Sequence, residues 1–132
     1  MKTSLRIHAL AAALLAATFA HPGPAAAATG AERYAHDCAG CHGAQARGDG
    51  PKGLKLEPRP ANLRTLAARN GGPFPSAKVR RIIDGREQPR AHGHGDMPVW
   101  GHEYSRALAG QGERKVQENL DNLVEFLETI QE

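Results

Sequence analysis

A chain of 132 residues with 17 Lys and Arg against 14 Asp and Glu carries a formal charge of only +3, and its length leaves room for one domain. So small an excess of base makes nucleic acid a poor partner. Two cysteines are too few for a disulfide scaffold, and 5 % aromatic residues promise a thin core.

The first residues read as a leader. Lys2 and Arg6 precede an uncharged apolar run over 9–20, then Pro22 and Pro24, then small residues up to Ala28. Charged start, short apolar stretch and small-residue cleavage site define a secretory signal. The apolar run is well short of the roughly 20 residues that span a bilayer. Residues 1–28 are therefore expected to be a signal peptide cut near Ala28, and 29–132 one exported, periplasmic domain with no membrane span. Lys2 and Arg6 leave with the leader and all 14 acids stay, so the formal charge drops to +1. That charge is uneven: residues 29–90 hold 12 bases and 6 acids, residues 91–132 hold 3 bases and 8 acids. Such a dipole can orient the molecule in a partner's field.

Thr29 followed by Glu32 has the spacing of a capping box and predicts a short helix ending near Cys41. The stretch from His42 to Pro60 is rich in glycine and proline and reads as loop. A helix is predicted from Pro60 to Gly71, with Leu63, Leu66 and Ala67 on one face. Another is predicted from an N-cap at Ser76, with Val79, Ile82 and Ile83 at helical spacing and Gly85 as terminator. Residues 87–101 read as irregular. In the last segment Val116, Leu120, Leu123, Val124, Leu127 and Ile130 form one apolar stripe, the strongest helix signal in the chain. Nothing alternates with period two for long, so the fold class is all-α: about four helices joined by long Gly/Pro-rich loops.

The two cysteines lie in CAGCH, residues 38–42. Zinc wants four ligands, usually two such pairs, and only one pair exists. A thioredoxin-like dithiol wants strands that the chain lacks. A disulfide across a two-residue gap would remove little chain entropy. Covalent haem needs two thiols for the two vinyl groups of one porphyrin and an adjacent histidine for the iron, in an exported chain, and all of these are present. A haem disc would also fill the middle of a chain with so few large apolar residues. His42 is then one axial ligand. Outside the leader there is one methionine, Met97, set among glycines and polar residues and held extended by Pro98. Met97 is the expected second ligand; His94, His92 or an open site are the alternatives.

With these residues in place the chain resembles the monohaem class I cytochrome c family over its whole mature length. Gly30 and Tyr34 are similar to the family's glycine and aromatic on the N-terminal helix, and Leu123, Phe126 and Leu127 to the C-terminal helix residues that cross it. Pro51 resembles the proline whose carbonyl holds the histidine ring, and Trp100, in MPVWG, the residue at the haem edge. The resemblance implies a cytochrome c fold around one covalent haem c bound through Cys38 and Cys41. It implies no enzyme activity but one-electron transfer between redox proteins, a donor dehydrogenase or cytochrome complex and a terminal acceptor, by a monomer or a small subunit. Two alternatives remain: a subunit permanently docked in a dehydrogenase or oxidase, and a haem enzyme or gas sensor with a displaceable distal ligand.

Overall fold

The computed structural model describes residues 29–87 and 97–132. The expected leader, His92 and His94 lie outside these residues. Those described are helical, with no strand among them.

The capping box forms as the spacing predicts. The Thr29 hydroxyl accepts from the Glu32 amide at 3.3 Å, and the Glu32 carboxylate accepts from the Thr29 amide at 2.7 Å. This opens α1 (Gly30–Arg33), which passes through a π-helical turn (Tyr34–Cys38) into α2 (Ala39–His42). The whole motif CAGCH therefore closes one continuous N-terminal helix. Gly43 ends it at φ +86°, a conformation that glycine adopts without strain.

Pro60 does not begin the next helix. The turn starts at Asn62, whose side chain accepts from the Arg64 amide at 2.9 Å, and runs through a 3₁₀ turn (Leu63–Thr65) into α3 (Leu66–Arg69). Pro60 is held elsewhere: its carbonyl lies 2.3 Å from where a Cβ on Gly48 would stand, so loop packing fixes its backbone. α4 (Ser76–Asp84) starts one residue earlier than predicted, because the Pro75 carbonyl takes the first helical bond, from Val79 N at 2.9 Å, and makes Ser76 the first helical residue. Gly85 terminates it in the left-handed region at φ +85°. α5 (Trp100–Ala107) was not legible, since its first turn contains Gly101 and follows a proline. The glycine is there for packing: a Cβ at Gly101 would lie 2.1 Å from the Asp84 carboxylate.

α6 (Glu113–Thr129) is the hub, packed against α1, α4 and α5. Its predicted stripe faces inward: Val116, Leu120, Leu123, Val124 and Leu127 are buried, and Ile130 packs at the edge. Tyr34 stacks tilted on Phe126 with ring centroids 5.4 Å apart, and its hydroxyl donates to the Gly43 carbonyl. Burial pushes the Tyr34 hydroxyl far above its ordinary range, so it stays a donor. Tyr34→Phe should cost about 1 kcal/mol, read as a shifted urea midpoint with an unchanged slope. Beyond α6, the Gln131 side chain donates to the Leu63 carbonyl at 2.8 Å and accepts from the Ala67 amide at 2.9 Å. The chain end is thereby tied to the segment that flanks the CAGCH loop.

Candidate functional site

The loop after His42 folds back onto the motif because four of its positions lack side chains. Gly48 N donates to the His42 carbonyl at 2.8 Å, Gly50 N to Cys41 O at 3.2 Å and Lys52 N to Gly40 O at 2.9 Å. A Cβ at Gly50 would lie 2.6 Å from the Cys41 carbonyl carbon, one at Gly53 2.2 Å from its oxygen, and one at Gly43 1.9 Å from the Asp49 carboxylate. The glycine-rich loop is therefore a close-fitting cover on the backbone of Gly40–His42.

That cover carries residues 60–61 up to the histidine. His42 Nδ1 lies 3.0 Å from the carbonyl of Ala61, 19 residues on. A carbonyl only accepts, so Nδ1 carries the ring proton and the lone pair belongs to Nε2. Pro51, expected to hold the ring, sits exposed at the turn between Gly50 and Gly53, and the carbonyl found at Nδ1 is that of Ala61. The glycines pull residues 50–53 against the outside of the helix, and the second leg of the loop reaches the ring instead. The sequence signal for Ala61 is the P-A-N run before the Asn62 cap, legible only once the loop's return is known.

Cys38, Cys41, His42, Met97 and Trp100 all line one cleft. The other lining is mostly apolar: Val79, Ile82 and Ile83 from α4, Leu127 from α6, and Leu56 and Pro58 from the loop. Trp100 continues into the core by stacking on Tyr104, centroids 5.8 Å apart. Sequence reasoning missed Ala61, α4's contribution to the lining, and Asp37, which faces the cleft beside Cys38.

Both cysteines are free thiols; Cys38 is buried and Cys41 partly so. Burial, with Asp37 and Cys41 adding to it, pushes the Cys38 thiol up to about 12. Reactive thiols are depressed instead, so the shift at Cys38 runs against thiolate chemistry in this fold. Among the described residues no three His, Cys, Asp or Glu side chains converge on a metal-binding geometry. Two thiols, one oriented imidazole and one thioether around an apolar cleft are the donor set that a covalently attached haem uses. The residues present fit that group.

Among the described residues helices and the loops between them surround that cleft, and α1 packs on α6 with Gly30 against the Asn122 backbone, an arrangement suited to a haem-binding electron carrier. The sequence model of the family described as Cytochrome c matches residues 27–131, and the chain belongs to that family. No curated protein and no solved structure matches the chain significantly. No helix among the described residues is long and apolar enough to cross a membrane.

Proposed function

We propose that this chain is a periplasmic one-electron carrier that holds one haem c through thioether links at Cys38 and Cys41, with His42 and Met97 as axial ligands. The observation that supports it is the convergence of those four side chains on one apolar cleft. Bound there, the haem supplies a reversible one-electron couple. The chain's own residues do the rest. Ala61 orients the His42 ring and raises its basicity through the Nδ1 proton. The apolar lining from α4 and α6 excludes water, and Trp100 and Pro98 close the Met97 side of the cleft. Two axial side chains leave no coordination site for a substrate, which is why transfer rather than catalysis follows. The partners are redox proteins, a donor dehydrogenase or cytochrome complex and a terminal acceptor, met in weak transient complexes.

The test is to export the protein with haem-attachment machinery and record oxidised and reduced visible spectra with and without carbon monoxide. A low-spin c-type spectrum indifferent to carbon monoxide is expected. High-spin ferric haem that binds carbon monoxide would move the protein to catalysis or sensing. Co-elution with a dehydrogenase or oxidase on gel filtration would make it a permanent subunit. The double variant Cys38→Ser/Cys41→Ser should retain no haem in denaturant, whereas the wild type retains all of it.

A further inference from the structure

Among the described residues one acidic side chain lines the cleft, together with one cationic side chain, Arg59. The Asp37 side chain is 7 % exposed and lines the cleft next to Cys38. It is fully engaged from the other side. Tyr104 donates its hydroxyl to Asp37 Oδ2 at 2.8 Å, the Arg33 guanidinium stands 3.8 Å from the same oxygen, and the exposed His36 ring is 2.6 Å from Oδ1. Tyr104 is itself buried, and burial together with the Asp37 carboxylate drives its hydroxyl far above the ordinary range. It can therefore only give its proton in a hydrogen bond, which stabilises a charged Asp37 without cancelling the charge. Arg33 keeps its full charge but offsets the carboxylate from behind, since it is not among the residues that line the cleft. Its Nε is committed to Asn119 at 2.8 Å, and its guanidinium lies 4.7 Å over the Tyr104 ring. The carboxylate's field reaches the cleft, since it contributes to the raised thiol of Cys38.

We propose that Asp37 is a positioning residue for charge: its buried carboxylate stabilises the oxidised state of the one-electron centre in the cleft and holds the reduction potential down. This rests on the electron-carrier reading above. Oxidation leaves one more positive charge in the cleft and reduction removes it, so a fixed negative charge beside it favours the former. In an apolar setting that attraction is far stronger than in water and is poorly screened by salt. The apolar lining acts in the opposite sense, by disfavouring the added ferric charge. The Arg59 cation, which also lines the cleft but from an exposed position, acts with the apolar lining, so the potential is a balance of these against Asp37, and Asp37 can be changed without touching a ligand.

The experiment is a redox titration of the haem-loaded protein, followed by its visible spectrum, at mildly alkaline pH where carboxylates are ionised. Asp37→Asn keeps the shape and should move the midpoint to more positive potential, and the shift should persist at high salt. Asp37→Glu should restore most of the wild-type value. Glu125→Gln, the same change of net charge on the exposed face of α6, should leave the midpoint where it was. Tyr104→Phe removes one donor from a carboxylate that stays, so it should shift the midpoint the opposite way, to more negative potential; it also keeps the question answerable if Asp37→Asn does not fold. An unchanged or more negative midpoint in Asp37→Asn, an equal shift in Glu125→Gln, or a positive shift in Tyr104→Phe would overturn the proposal while leaving the carrier intact. A wild type with no reversible one-electron wave would overturn both.

Discussion

Gly30→Val should destabilise the protein by about 3 kcal/mol, at the upper end of what overpacking usually does. A Cβ at this position would sit 2.0 Å from the Asn122 carbonyl oxygen and 2.7 Å from the Phe126 Cβ. The nearest of these atoms is backbone in the middle of α6, so no rotamer change relieves the clash. The helices must separate, and with them the Tyr34–Phe126 stack and the contacts of Leu123. For a domain of this size the loss corresponds to roughly 10–20 °C in Tm, read by melting the haem-loaded protein. Gly71→Ala is the contrast. Nothing lies within 4 Å of its Cβ position, and its cost is only that of φ +81°, about 1 kcal/mol. Equal losses in the two variants would mean that α1 and α6 do not cross as closely as described.

Met97→Ala should convert the haem iron from low-spin to high-spin, open it to carbon monoxide and lower its midpoint potential sharply. Met97 is partly buried against the core, lines the same cleft as His42, and precedes Pro98 and Trp100, which line it too. Thioether ligation favours ferrous iron, so its loss lowers the potential, and alanine offers no donor in its place. Magnetic circular dichroism and the near-infrared thioether band check the ligand directly. A spectrum identical to wild type would pass the ligand role to His94 or His92. Since Ala61, not the sixth ligand, orients His42, the thioether links should survive and the protein should stay coloured.

Much of this was readable in the sequence, for local reasons. The Thr29–Glu32 capping box, the α6 stripe, the left-handed Gly85 and the CAGCH spacing each depend on residues within a few positions of one another. Met97 and Trp100 share one short run, MPVWG, and both line the cleft. The failures have a common cause. Pro51 and Ala61 lie on two legs of one loop, and which leg reaches His42 is decided by where Gly48, Gly50 and Gly53 let backbone meet backbone. Composition marks that stretch as loop and says nothing of its path. Pro60 lost its helix start for the same reason. α5 was hidden because Gly101 answers to Asp84 across the chain and not to helix propensity. Asp37 looked like any charged residue on a short helix until Tyr104, 67 residues on, was seen to donate to it.

The crossing at Gly30 also sets an order in time. Arg33 and Asn119, joined where α1 meets α6, are 86 residues apart, so this crossing cannot form until α6 has been made. A contact of that span closes late, because the loop between its ends must first be gathered in. During that interval the helix that ends in CAGCH lacks its packing against α6. After closure Cys38 is 8 % exposed. Access to that sulfur is therefore greatest before α6 packs down.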